Sequence, residues 1–208
     1  MNFNLDRSRT ALLIIDCQAD VFDGGALQLV GTKAVLIKAK QVLAAARAIG
    51  LPIIHTQEVH RKEMVDFGRE LDGTEPVHCL DNWAGTDFHP ELYPRDGEYK
   101  ILKRRYSSFF GTDLDILLRG LGVDTLIIMG TMTNVCVHYT VADAHQKDYH
   151  FYVIEDCCAG SDWDAHWAAL KAMKYLQRNS LINSQIFLNQ AGVKQRSEVE
   201  LSSLPSSY

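Results

Sequence analysis

Four short apolar runs, each flanked by polar residues, limit how this chain can fold. They are ALLIID over Ala11–Asp16, PIIHT over Pro52–Thr56, TLIIM over Thr125–Met129 and FYVIE over Phe151–Glu155. A strand that is apolar on both sides has to be covered on both sides, which is the situation of strands in a parallel sheet. Helical patterns separate the runs: Ala34–Ile49, with Leu36, Ile37, Val42 and Leu43 read as one face, then Thr112–Leu121, Asn134–Lys147 and Trp163–Leu176. Gly50, Gly122 and the Lys147-Asp148 pair fall where those helices must stop, and Asp113 and Asp164 sit where carboxylates suit a first turn. The alternation predicts a three-layer α/β/α domain around a doubly wound, mostly parallel, Rossmann-like sheet, with its site at the carboxyl ends of the strands. Val59–Gly85 and His89–Tyr99 stand outside the alternation and are expected to enclose a substrate.

A length of 208 residues with no Pro/Ser/Gly-rich linker reads as a single domain, 1–208, whose last stretch from about 195 is Ser-rich and expected to be a flexible tail. The net charge of -5, with Lys103-Arg104-Arg105 as the densest basic run, argues against a nucleic-acid partner or an anionic membrane. The five cysteines are odd in number and lack C-x-x-C spacing, so neither a disulfide framework nor a zinc site is expected. Cys157-Cys158 is assigned to packing. With no apolar leader segment at the N-terminus, the expected location is cytoplasmic.

The stretch LIIMGTMTNVCVHYTVADA, Leu126–Ala144, reads as strand, turn and helix. If Gly130-Thr131-Met132-Thr133 is the turn, Thr133 or Asn134 caps a helix whose first turn holds Cys136. A helix N-terminus lowers a thiol pKa from about 8.5 toward ~3.5–7.5 and offers N–H groups to an oxyanion. The plainer alternative makes Cys136 a small buried apolar residue. Asp16 follows the first apolar run, on the rim where Cys136 is expected, and is placed to be a base. It is otherwise a loop capper, like Asp20 and Asp23. Lys103 ends YKILK and is a third candidate, or else a solvated surface lysine.

Together these segments resemble the isochorismatase-like cysteine hydrolases over about Ala11–Leu188. The resemblance is carried by LLIIDCQADVF, KRRYSSFFGTDLDILLRGLGVDTLIIMGTMTNVCV, TVADAHQKDY and IEDCCAGSD. It implies an Asp16–Lys103–Cys136 triad, an oxyanion hole from the backbone N–H groups of Met132 and Cys136, a cis Thr131–Met132 peptide, and Phe22 lining the substrate pocket. It also implies a homo-oligomer, dimer or tetramer. The apolar side of Trp163–Leu176 (Trp167, Leu170, Met173) is read as facing either a partner or its own sheet. Isochorismatases proper usually lack the cysteine, so its presence favours hydrolysis of a C–N bond in a small amide.

Nicotinamidases of the same family carry a metal-binding Asp-x-His followed by a further His. The matching HTQEVHRKE does not reproduce this with His55 and His60, so no metal and no cofactor are expected. His55 is read as bonded locally at a strand end and His60 as exposed. HTQEVH, EDCCAGSD and HWAALKAM are similar instead to amidohydrolases of ureido and carbamoyl compounds such as biuret and ureidoacrylate. On that likeness Glu58 contacts a ureido N–H, unless it pairs with Arg61 or Lys62. Tyr106, Trp83 and Phe88 are candidates for an aromatic wall, with no more than one expected there. The implied reaction releases ammonia through an acyl-thioester on Cys136. A nicotinamidase-like enzyme, an N-carbamoyl amino acid hydrolase and an isochorismatase-type hydrolase are the alternatives. A non-catalytic binding module of flavodoxin type fits poorly, since the acidic DCQADVFDGG would repel phosphate.

Overall fold

The computed structural model describes residues 3–193, and the tail expected from about 195 lies outside the described residues. Its sheet has six strands in the order β3-β2-β1-β4-β5-β6, every neighbouring pair parallel. The strands are β1 (Thr10–Ile15), β2 (Ile53–Glu58), β3 (Tyr99–Lys103), β4 (Thr125–Thr131), β5 (His150–Ala159) and β6 (Leu181–Ile182). The helices are α1 (Thr32–Ala48), α2 (Leu114–Gly120), α3 (His138–Gln146), α4 (Trp163–Leu176) and α5 (Ser184–Gln190).

β1 shows why the expected layering arises. All six of its residues are buried. Because side chains alternate across a strand, Leu12 and Ile14 join the core beneath α1 and α5, while Ala11, Leu13 and Ile15 join the core beneath α2, α3 and α4. Chain order runs outward from β1 in both directions, so the switch point where ligands collect in such sheets lies between the ends of β1 and β4.

Several boundaries differ from expectation. β3 is absent from the four expected strands; it is an edge strand with only Ile101 and Lys103 buried, too polar to show as an apolar run. β6 has two residues and α5 seven, both short for periodicity to reveal. In α1 the buried stripe is Val35, Ala39, Val42, Leu43 and Ala46, and Ile37 points to solvent. β4 and β5 run further than their apolar runs, with a register shift between Ile128 and Gly130 that brings Cys158 beside Gly130. In α4, Leu170 and Met173 are buried in the chain's own core, while Trp163 and Trp167 stack on each other and are exposed. Cys157 and Cys158 are buried packing residues.

No helix among the described residues is long and apolar enough to cross a membrane.

Candidate active site

Four adjacent strands end at one place. β1 delivers Asp16 immediately after its last residue, in a left-handed turn with φ 46°. Thr56 of β2 clamps it: the Asp16 N–H donates to Thr56 Oγ1 (3.1 Å), and that hydroxyl donates to Asp16 Oδ1 (2.7 Å). Glu58 and Lys103 are register partners across β2 and β3 and form an ion pair. Gln18 fixes the end of β2 by donating to the carbonyls of Glu58 and Thr86 and accepting from the Glu58 N–H, each at 2.8 Å.

β4 approaches β1 so closely that Gly130, at φ 131°, admits no side chain: a Cβ there would lie 2.1 Å from the Ile15 carbonyl oxygen. The Thr131–Met132 peptide that follows is cis, as the family resemblance implied. Thr131 Oγ1 donates to the Asp16 carbonyl (2.8 Å), tying the two strand ends together.

Cys136 enters from a form not anticipated. A five-residue π-helix, Thr133–Val137, precedes α3, and neither expected cap acts as one. Thr133 Oγ1 bonds His166 Nδ1 (2.9 Å), and the Asn134 side chain is engaged with Ser161, so α4 and the segment before it take both groups. The wide turn places the sulfur among the charged groups. Lys103 Nζ lies 3.5 Å from Cys136 Sγ and 2.7 Å from Asp16 Oδ2, and the thiol donates to Glu58 Oε2 at 3.7 Å. The three residues expected to form a triad thus lie together, with Glu58 beside them as a second carboxylate.

The electrostatics correct the expected lowered thiol pKa. Burial pushes the Cys136 thiol well above its usual value. The Lys103 ammonium pulls it down, but Asp16 and Glu58 push it up again. Burial also raises Asp16, outweighing the pull of Lys103. Glu58 behaves oppositely: although burial works against it, Lys103, His60 and His78 hold its carboxyl well below the usual range. Lys103 is kept charged, because Asp16, Cys136 and Glu58 overcome its burial. The resting site therefore holds a protonated thiol, an ammonium and an ionised Glu58, with Asp16 as the more basic carboxylate. Asp16 Oδ2 faces the Lys103 ammonium at 2.7 Å, which leaves it an acceptor beside the thiol.

The cavity over these groups is lined by Val21, Leu27, Glu70, Glu75, His78, Cys79, Tyr106, Met132 and Val135 as well as by Asp16, Gln18, Glu58, Thr131 and Cys136. Of the three aromatic candidates, Tyr106 alone is in it. Trp83 lines a separate surface depression, and Phe88 packs against His55 and Tyr93. Phe22 is not in the cavity either: it belongs to the α1 core, lies tilted against His89 with ring centroids 4.6 Å apart, and faces two outer grooves. Glu58 lines the cavity but is not open to a ureido N–H, because His60, His78, Lys103 and Cys136 already direct donors at its two oxygens. It pairs with neither Arg61 nor Lys62.

Other expectations also change. His60 is fully buried, stacked on Phe67, rather than exposed. His55 bonds Glu98 from a distant loop (2.9 Å) rather than a local group. Of the two segments expected to enclose substrate, Val59–Gly85 supplies Glu70, Glu75, His78 and Cys79, whereas His89–Tyr99 supplies no cavity residue and instead places Glu98 on Arg47 and His55. Glu70 and His78 went unnoticed in the sequence. The signal available was Glu58-Val59-His60 with a histidine eighteen residues on.

Glu58, His60, Glu70 and His78 have ligand atoms all within 4.8 Å of one another, a donor set of the kind that binds divalent cations. As arranged, protons hold Glu58 and His78 together, while His60 Nδ1 and Glu70 Oε2 are left without a hydrogen-bond partner. His78 Nδ1 bonds the Pro76 carbonyl and its Nε2 faces Glu58. Burial would lower the His78 pKa, but the bonds to Glu58 and Pro76 and the charges of Glu58 and Glu70 raise it to about 9. An ion would have to strip that proton and compete with the Lys103 ammonium for Glu58, so the residues fit a hydrogen-bonded cluster better than a metal.

An isochorismatase domain model matches residues 10–185. The ureidoacrylate amidohydrolase RutB of Yersinia enterocolitica is 34% identical over 189 residues, covering 78% of this chain and 81% of that protein. Among solved structures, a cysteine hydrolase from Pseudomonas syringae superposes with a TM-score of 0.84 at 25% identity, over 92% of this chain and 96% of the other. The pyrazinamidase of Pyrococcus horikoshii, solved in complex with zinc, gives 0.75 at 29% identity, over 84% and 99%.

Proposed function

The chain belongs to the isochorismatase family of hydrolases, and from that premise we propose that it is a cysteine-dependent amidohydrolase cleaving a C–N bond of a small amide, ureido or carbamoyl compound of biuret type. The observation that carries this reading is the meeting of Asp16, Lys103 and Cys136 from three distant parts of the chain, with Lys103 Nζ 2.7 Å from Asp16 and 3.5 Å from the sulfur.

Asp16 takes the thiol proton, a transfer helped by its own raised pKa and by the ammonium alongside, which stabilises the thiolate as it forms. The thiolate attacks the carbonyl carbon, and the backbone N–H groups of Met132 and Cys136 receive the oxyanion. One such donor is worth roughly 3–4 kcal/mol. Asp16 returns the proton to the departing nitrogen, ammonia leaves, and an acyl-thioester or thiocarbamate remains on Cys136. Water then gives a proton to Asp16, attacks the same carbon and displaces the thiolate, which recovers that proton. Glu58 is too acidic to act as the base and serves to hold Lys103 in place. Tyr106 forms one wall for the substrate.

The test is kinetic. Cys136→Ala should fold as the parent does and lose turnover by at least about 1,000-fold; substantial residual ammonia release would reject the mechanism. No metal is invoked, so activity should survive exhaustive chelation, and a loss reversed by added zinc would contradict that part. We also assign the exposed Trp163 and Trp167 pair to a contact in a homo-oligomer, which light scattering on the protein and on Trp167→Glu would check. The five free cysteines accord with a reducing, cytoplasmic setting.

A further inference from the structure

The polar groups of the catalytic cavity are unevenly divided between acceptors and donors. Four carboxyl groups line it, those of Asp16, Glu58, Glu70 and Glu75, and the cations and amides near them are already engaged. Lys103 is shared by Asp16, Glu58 and Cys136. His78 directs one nitrogen at the Pro76 carbonyl and the other at Glu58, and the Gln18 amide is spent on backbone carbonyls. Glu70, kept protonated by burial and by Glu58, directs its proton at Glu58, so of the lining side chains only the neutral Tyr106 phenol remains as a free donor.

The acceptors, by contrast, are in surplus. Glu70 Oε2 is buried and without a hydrogen-bond partner, 3.5 Å from His60 Nε2, and Asp16 Oδ2 has only the shared Lys103 ammonium, 2.7 Å away. Glu70 keeps 7% of its surface exposed. Glu75 is half-buried and makes no hydrogen bond or ion pair with the described residues. It stands where the cavity meets an outer groove, both being bounded by Leu27, Glu75, Met132 and Val135. A substituent extending from the scissile carbonyl into that groove passes its carboxylate.

Resting on the amidohydrolase reading, we propose that this cavity selects amides rich in N–H groups and free of negative charge, with Glu75 as the residue that turns carboxylate-bearing analogues away. Unpaired acceptors reward substrate N–H donors, and a site with no spare cation leaves a substrate carboxylate unpaired among like charges. The cavity's effect on its own groups agrees: burial, followed by the charge of Glu58, raises Glu70 to about 8, and a third anion placed there would meet the same opposition. The selection separates this chain from enzymes acting on ureido acids, whose substrates carry a carboxylate at the far end.

A matched pair of ligands tests it: malonamide and its half-acid, malonamate. Protection of Cys136 against alkylation in the unmodified protein reads occupancy of the cavity without requiring turnover, and ammonia release is followed in parallel. Malonamide should protect at concentrations about 100-fold below those at which malonamate does. In Glu75→Gln the gap should narrow about tenfold through better protection by the half-acid. Equal protection by the two ligands, better protection by malonamate, or no protection by either would overturn the proposal. So would an unchanged gap in Glu75→Gln. If malonamide protects selectively but neither compound yields ammonia, the amidohydrolase reading fails and the selectivity stands.

Discussion

Lys103 Nζ sits 2.7 Å from Asp16 Oδ2, with the lysine side chain wholly enclosed. One ammonium thereby neutralises two carboxylates, Asp16 and Glu58, that strand geometry forces together. Lys103→Met removes the charge but keeps the bulk, leaving like charges buried side by side. It should cost about 3–5 kcal/mol in urea unfolding, and the protein that remains folded should turn over at least about 1,000-fold more slowly.

The raised thiol pKa makes a prediction opposite to that for a helix-activated cysteine. Iodoacetamide should modify Cys136 more slowly at pH 7 than it modifies an unburied thiol, with a rate still climbing beyond pH 9. A plateau reached below pH 7 would show that the thiolate already exists at rest. Mass mapping against Cys136→Ala separates this signal from the other four cysteines, all buried.

Gly130→Ala would drive a methyl group into the Ile15 carbonyl at a backbone angle that alanine seldom adopts. The expected cost is about 2–4 kcal/mol by chemical denaturation. Because Asp16 follows Ile15 directly, kcat should fall even where folding is complete. A variant as stable and active as the parent would mean that β1 and β4 separate more readily than this packing allows.

Acid stability should depend on a pair remote from the cavity. Burial tends to raise Glu98, but Arg47, the Arg95 N–H and His55 draw it down to about 2. Burial lowers His55 to about 4. Both folded values lie below the unfolded ones, near 4.5 and 6.5, so both contributions are present at neutral pH and are lost as pH falls: His55 from about 6.5 to 4, Glu98 from about 4.5 to 2. The melting temperature should decline across that range. Glu98→Gln should flatten its lower half and cost about 2 kcal/mol at pH 7.

How far the sequence revealed this molecule varied with the physics of each part. β1 and β4 were legible because both of their faces are apolar; β3 was not, being an edge strand that alternates exposed and buried residues. Asp16 and Cys136 could be singled out because they follow the apolar runs of β1 and β4, whereas Lys103, at the end of the illegible β3, rested on the family resemblance. The direction of the Cys136 pKa was missed, since it depends on how many carboxylates share the space, a tertiary quantity. Glu70, Glu75 and His78 lie in a segment without periodicity, so their meeting with Glu58 depends on loop paths that no local rule predicts. Phe22 was misplaced for the same reason: its neighbour in space is His89.

The strand order β3-β2-β1-β4 has a consequence for how activity is acquired. Lys103, Glu58, Asp16 and the Met132–Cys136 turn hang from four strands side by side, and no two successive segments of chain hold enough of them to do chemistry. On the proposed mechanism, catalysis requires all four strand ends to be docked together, and a molecule with one of them undocked should carry a thiol that is chemically idle.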